Sequence, residues 1–512
     1  MLPSFMVFPS EFFRRARHRI SGPFRRLGPI VARHRRRLRA ALIVMGVWWV
    51  VVMARGVWMP LPEGLSTSGP ESGVERLQLL TDITYQRDGV QRTEQVIFDR
   101  VLGLIDRADR FVVIDMFLFD DEHMGDRDYR PITRELTDRI LARLEAVPTL
   151  DVTFITDEIN NFYGAYESPA LDSLEEAGVR IVITDLGRLR DSNPIFSSLW
   201  RTYFQWFGTA GPAFAPHPLT STGQRVTLRS YLKLLNMKAN HRKVIVTEDG
   251  CMVLSANPHD ASSFHSNIAW DIKGGVCADI LESEQAVAAF SGHEVPAHLM
   301  DEWTELEGSS TTRFVTEGEI QTVLIDELEV MRAGDRLDVA MFYLSGRRVI
   351  RAIKSAVRRG GRVRLLLDPN KDAFGRPKGG IPNRQVAREF MAMAEAEIGE
   401  GGMGGGGIEV RWYDTHGEQF HTKLLAFHTN RGTTLLGGSA NLTRRNLGDY
   451  NLEANLLVRA NDTLGARASD YFERLWSNRD GHFSVPYEAY ADDSWVKRVM
   501  YRLQEFAGLS SF

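Results

Sequence analysis

Cysteine is nearly absent from this 512-residue sequence: Cys251 and Cys277 are the whole supply. Two sulfurs exclude a disulfide-dense scaffold and a cysteine-rich zinc site. Two buried thiols are the expected state, with one disulfide as the alternative if the body lies outside the cytoplasm. Lysine is scarce too, nine against 53 arginines, so a lysine recurring in a fixed pattern carries information. Basic charge is missing from most of the chain. Residues 1–39 hold eleven arginines and one acid, Glu11, while the remainder has 51 basic and 65 acidic residues. A body that acidic lacks the electrostatic footprint of a nucleic-acid binder, and no nucleic-acid partner is expected.

One apolar run is long. Residues 40–54 are uncharged and mostly apolar, and with Arg55 snorkelling the run reaches residue 61. As a helix, 40–61 crosses a hydrocarbon core of ~30 Å. The arginines of the basic segment 1–39, densest at 33–39, predict a cytoplasmic N-terminus, with everything after residue 62 periplasmic or exterior. A signal peptide cleaved near Val52-Met53-Ala54 and a buried core helix are the alternatives. Residues 62–75 read as a linker.

The body, 43% apolar overall, alternates helical and strand patterns, which predicts an α/β fold. Helices are expected over 94–107, 170–176, 320–331 and 349–359. Strands are expected over 111–119, 151–156, 179–184, 337–343 and 363–367. The order recurs, so the body divides into two units, 76–308 and 309–512. Residues 399–407, nearly all glycine, read as a flexible loop. Residues 193–218 carry Phe196, Trp200, Tyr203, Phe204, Trp206 and Phe207. All but Trp206 fall on one helical face, read as a helix packed on the body or as an interfacial contact with lipid.

The chemistry sits in two similar stretches. The first has His241-Arg242-Lys243, then Glu248-Asp249-Gly250, Leu254-Ser-Ala-Asn257 and Asn267-Ile-Ala-Trp270-Asp271. The second has His421-Thr422-Lys423, then Asn430-Arg431-Gly432, Gly437-Gly-Ser439-Ala-Asn441 and Asn451-Leu-Glu453. His and Lys at i and i+2 of a strand share a side. At this lysine frequency, chance supplies roughly 0.2 His-x-Lys in the chain. A nucleophile, a fixed cation and an amide, supplied twice, suit phosphodiester chemistry. Asp249-Gly250 reads as a hairpin turn.

This pattern resembles the phospholipase D superfamily, marked by a twice-occurring His-x-Lys-x4-Asp followed by Gly-Gly/Ser-x-Asn, and within it bacterial cardiolipin synthase-like members. The resemblance spans about residues 76–480. It implies a duplicated α/β/α sandwich, two repeats about a pseudo-two-fold axis, building one active site without metal or cofactor. His241 would be the nucleophile, forming a phosphohistidine, and His421 the general acid and then base. Lys243, Lys423, Asn257, Asn441 and Ser439 would hold the phosphate, and Asp271 and Glu453 would orient the imidazoles. The motif aspartate falls on Glu248 in one copy, with Asp249 one place late, and on His428 in the other. These positions lie at a strand end, which favours a structural role. The first copy also lacks the Gly-Gly pair.

The reading is a membrane-anchored lipid phosphodiesterase or transphosphatidylase of a bacterial inner membrane. Its partners would be a phospholipid and an alcohol or water acceptor. A nuclease and a non-catalytic lipid-binding protein are the alternatives. Hydrolysis and transfer differ in which acceptor reaches the phosphohistidine, a matter of pocket shape, and oligomeric state is left open.

Overall fold

The computed structural model describes residues 38–121, 128–218, 220, 224–296, 309–373, 376–377, 379–399 and 406–508. Nearly all of the basic segment and of the glycine run lies outside them. Helix α1, Leu38–Trp58, is the candidate membrane span and is almost wholly exposed. Its end is tied to the body: Asp191 donates its N–H to the Gly56 carbonyl at 2.9 Å, and Arg190 donates to that of Met59 at 2.9 Å.

The first half contributes β1 Ser72–Arg87, β2 Val90–Glu94, β3 Phe111–Met116, β4 Asp151–Thr156, β5 Arg180–Ile183, β6 Lys243–Thr247, β7 Gly250–Leu254 and β8 Asn267–Gly274. The second contributes β9 Thr311–Thr316, β10 Arg336–Met341, β11 Arg362–Leu367, β12 Gly407–Tyr413, β13 Lys423–Thr429, β14 Gly432–Gly438, β15 Ala454–Ala460 and β16 Ser484–Pro486. All sixteen join one sheet, ordered β16-β12-β11-β10-β13-β14-β15-β9-β1-β8-β7-β6-β3-β4-β5, with β2 on β1. From the β9–β1 junction outward the two arms match. Each has an antiparallel meander nearest the centre and three parallel strands beyond. Parallel neighbours need crossovers, which α3 Ile132–Ala146, α4 Pro169–Glu176 and their second-half counterparts supply, while α2 Ile97–Ile105 leads from β2 into β3.

The strand interiors read as apolar runs because they are buried on both faces, as in β3, β6 and β7. One core belongs to both halves, joining Val253, Ile268 and Trp270 to Leu424, Leu435 and Leu456. Trp270, fully buried, donates its indole N–H to the Gly437 carbonyl at 3.1 Å. A Cβ on Gly437 would stand 2.7 Å from Ile268 Cδ1, and one on Gly438 2.3 Å from the Ala454 carbonyl oxygen. Gly437 is therefore a packing feature of the joint between halves, whereas Gly438 makes room for the neighbouring strand β15 of its own half.

Three sequence expectations change. Residues 62–71 do not form a loose linker: Thr67 and Gly69 hydrogen-bond along β9. The aromatic segment is not one helix. It is a short helix α5, Pro194–Leu199, then a π-turn over Trp200–Phe204 and a 3₁₀ turn over Gln205–Phe207. Only Trp200 of its aromatics is buried, while Trp206 is 74% exposed. Third, the two cysteines are not free thiols. Cys251, in β7, faces Ile272 of β8, and the chain then reverses into the helix Val276–Phe290. That reversal brings Cys277 to a Cα–Cα distance of 5.7 Å, and the pair is a disulfide. Buried fully at both ends, it closes a loop spanning 26 residues. Cys277→Ser is expected to lower unfolding stability by roughly 2–4 kcal/mol, read as a lower urea midpoint. Alkylation of denatured, unreduced protein should find no free thiol.

Candidate active site

Each His-x-Lys lies at the start of the strand nearest its half's parallel trio, and both strands enter the same cleft. Tight turns at Glu248-Asp249 and Asn430-Arg431 link β6 to β7 and β13 to β14, with Thr247 facing Gly250 and Thr429 facing Gly432. Buried carboxylates set the entry of each strand. Asp157 accepts the Asn240 N–H at 2.7 Å, and Asp368 accepts the Phe420 N–H at 2.8 Å. Asp115 accepts the Asn240 side chain at 2.8 Å. Among the described residues no group of three or more His, Cys, Asp or Glu is placed to hold a metal. Asp157 and Asp368 serve the main chain, and Asp115 holds the Asn240 side chain.

The halves then exchange partners. His241 donates its N–H to the Leu452 carbonyl at 2.9 Å, and Ser266 donates to that of Gln419 at 3.0 Å. The side chains cross the same joint. His241 Nδ1 lies 3.0 Å from Glu453 Oε2 of the second half, and His421 Nδ1 lies 3.0 Å from Asn267 Oδ1 of the first. Glu453 is held as a carboxylate: against the burial that raises it, His241, Lys243 and Ser439 keep it below its usual range. A carboxylate only accepts, so His241 carries its proton on Nδ1. The Asn267 amide donates to the His265 carbonyl at 3.2 Å, which turns its oxygen to His421. Both rings thus leave Nε2 available to the cleft.

Other contacts repeat in pairs. Lys243 Nζ donates to the His241 carbonyl at 2.6 Å and Lys423 Nζ to that of His421 at 2.8 Å. Phe117 and Phe342 stand against the two imidazoles, at ring distances of 4.9 and 5.0 Å. The oxygens of Asn257 and Asn441 are buried without a partner, and both side chains line the cavity of about 190 Å³ that holds the two histidines. Burial, then Lys243, pushes His241 down to about 4 against the pull of Glu453. Burial and the neighbouring lysines hold His421 well below its usual value. Burial takes Lys243 down to about 7; burial and then Lys243 hold Lys423 well below its normal range. Two neutral imidazoles and two lysines whose charged forms burial disfavours make a cavity suited to an anion that restores their charge as it binds.

Of the expected site residues, His241, Lys243, His421, Lys423, Asn257, Asn441 and Glu453 come together. Asp271 does not. Four residues beyond Asn267 along β8, about 13 Å at strand rise, it pairs with Arg100 at 2.9 Å and Arg76 at 3.3 Å. Asn267 takes the place assigned to it. Ser439 does not face the cavity either. Its hydroxyl donates to Glu453 and accepts the Ala454 N–H at 3.0 Å, so it holds the orienting carboxylate. Ser255 does the same for Asn267 at 2.9 Å. Glu248, Asp249 and His428 lie at the far strand ends: Glu248 accepts the Arg110 N–H at 2.9 Å, Asp249 pairs with Arg107 at 2.7 Å, and His428 stands 3.2 Å from Asp338.

Sequence reasoning missed Asn267 as an orienting group because it assigned that role to the two acids, Asp271 and Glu453. The strand register aligns Asn267 with Glu453, since Ser255 pairs with Ile268 as Ser439 pairs with Ala454. The second connection is two residues longer, and only the Ser-to-strand spacing could have exposed that. Lys238, Tyr163 and Arg445 also line the cavity without any motif to mark them.

The family model described as cardiolipin synthase, PLD-like domain, matches residues 327–476. That stretch is similar to a phospholipase D-like domain. The matched stretch holds the second copy of the motif, from His421 through Glu453. A likeness to a solved structure extends over both halves. The crystal structure of phosphatidylserine synthase from Haemophilus influenzae Rd KW20 superposes with a TM-score of 0.55 at 11% identity, covering 86% of this chain and 96% of that one. Polyphosphate kinase from Porphyromonas gingivalis gives 0.42 at 13% identity, over 85% of this chain and 54% of that one. The phospholipase D family member Nuc from Salmonella typhimurium gives 0.25 at 14% identity, over 34% and 97%. No curated protein matches the chain.

In ligand-free protein the His241 ring is expected to stay neutral down to about pH 5, read by NMR titration of its ring nitrogens. Glu453→Gln removes the carboxylate that favours the imidazolium, so it should move that titration lower still. A midpoint near 6.5 in the parent protein would contradict the buried geometry.

Proposed function

We propose that this is a membrane-anchored phospholipase D-type enzyme that moves the phosphatidyl group of a glycerophospholipid to an alcohol, as in cardiolipin synthesis, or to water. The observation that carries the reading is the crossed pair of imidazoles, each with its own lysine and amide, in one cavity. His241 Nε2 attacks phosphorus, forming a P–N bond as the bond to the leaving alkoxide breaks. The alkoxide takes a proton from His421. The acceptor hydroxyl then returns a proton to His421 as it displaces His241. A bound phosphodiester anion beside Lys423 and His421 favours their charged forms, so the acid's proton is held once substrate is in place.

The roles follow from the two orienting groups. A phosphohistidine that keeps its Nδ1 proton is a cation, and Glu453 balances it. His421 ends neutral after protonating the leaving group, and the amide of Asn267 suffices. The two lysines, with Asn257 and Asn441, clamp the phosphoryl oxygens.

Helix α1 would anchor the chain with its basic N-terminus in the cytoplasm. The disulfide supports a body on the oxidising side of that membrane. The acidic body speaks against nucleic acid as substrate.

Incubation with labelled phosphatidylglycerol is expected to give cardiolipin if transfer dominates and phosphatidic acid if water does. Protein inert to lipid that cleaves DNA would overturn the lipid assignment. His241→Ala and His421→Ala should each cost at least ~10³-fold in turnover, and full activity in either sinks the mechanism. Asn267→Asp places a carboxylate on His421, which favours its protonated form. The alkaline limb of the kcat/KM profile should therefore move up by roughly 1–2 pH units.

A further inference from the structure

The last helix, α6, Trp495–Ala507, is built inside out for a water-facing element. Its inner side is short: Tyr501 is buried and donates to the Ser345 carbonyl at 2.9 Å, and Glu505 is buried beside the Ser345 hydroxyl at 3.0 Å. Trp495, Val496, Val499, Met500, Leu503 and Phe506 share the opposite face. Trp495 is 71% exposed, Leu503 61% and Phe506 85%. At 100° per residue these positions span about 140°, the width of a core-facing stripe, yet the described residues pack nothing over it. Arg498 and Arg502 sit along one margin of the stripe, where Arg502 also meets Glu389 at 3.0 Å.

Three apolar features converge at residues 191–193. The end of α1 reaches Asp191 through the Gly56 carbonyl. Helix α5 starts at Pro194, with Ile195 exposed beside it. The C-cap of α6, Gly508, packs against the Ser192 backbone closely enough that a Cβ there would collide with its carbonyl. The same stretch touches the active-site wall, because Ser192 donates to the Met237 carbonyl at 2.9 Å, and Met237 lines the cavity.

We propose that α6 lies in the headgroup layer of the bilayer that α1 enters, with its Trp495–Phe506 face among the acyl chains and its arginines at the phosphates. The occupant is a phospholipid surface containing anionic lipid. The arguments are continuity with the anchor, the width of the apolar face, and basic residues at its margin. A helix held this way would set the active-site opening against the membrane. The inference rests on the membrane reading above, through α1.

The test uses full-length protein in vesicles of phosphatidylethanolamine and phosphatidylglycerol, with a nitroxide on one introduced cysteine at a time. The two native cysteines are disulfide-bonded and leave labelling to the new one. The sites are Val47→Cys in α1, Leu503→Cys and Phe506→Cys in α6, and Asp138→Cys on an exposed face of α3. The 503 and 506 labels are expected to collide with oxygen in preference to a water-soluble nickel complex, by about fivefold or more over position 138. If 503 and 506 follow 138 while 47 is immersed, the proposal falls and the anchor stands. If 47 follows 138, the anchor reading falls, and 503 and 506 still decide the case for α6. Labels at 503 and 506 shielded from both reagents would mean a protein covers this face, a second copy included, and would overturn the proposal.

Discussion

Each half of this molecule supplies the acceptor for the imidazole that the other half places in the cavity. Glu453 reaches His241 and Asn267 reaches His421, each at 3.0 Å. Main-chain hydrogen bonds from His241 to Leu452 and from Ser266 to Gln419 cross at the same place. Neither half is complete without this joint. A half on its own would keep its His-x-Lys, but its ring would lose the group that fixes its tautomer, and its cavity would lose a wall.

The rest of the architecture serves that crossing. Gly437 lets the two halves close to within contact of Ile268. Trp270 seals the shared core and caps the Gly437 carbonyl. Arg242, between His241 and Lys243, points away from the cavity and pairs with Glu284 at 3.0 Å and Glu317 at 2.7 Å. Glu317 in turn accepts the Glu453 N–H at 3.0 Å. A chain of buried charges therefore runs from the residue beside the first histidine to the backbone of the carboxylate that orients it. Breaking a buried pair costs far more than an exposed one, so this chain holds the joint in a single arrangement.

The α/β alternation and the main strands were legible because their apolar runs are periodic and long. So were the two cavity-lining histidines and the buried lysine beside each, because the motif recurs. The shift of the orienting group from Asp271 to Asn267 was not legible, since it depends on a two-residue difference in a connection and on strand register. Ser439 looked like a phosphate ligand from its place before Ala440-Asn441, yet its hydroxyl turns inward to Glu453. The aromatic run at 196–207 had helical spacing, but a π-turn and a 3₁₀ turn break it, and spacing alone does not register either.

The sequence by itself determined the chemistry on offer: two histidines, two lysines and two amides in repeated order, a twofold-repeated α/β body, and an apolar helix flanked by arginine. These are local properties, written in composition and in periods of two and 3.6 residues. Only the tertiary structure decided which side chain orients which histidine, that Cys251 and Cys277 pair, and that the C-terminal end of the last helix and the end of α1 meet at residues 191–192. Each of those is a contact between segments far apart in the chain, and their distance is set by packing of the shared core rather than by any neighbour in sequence.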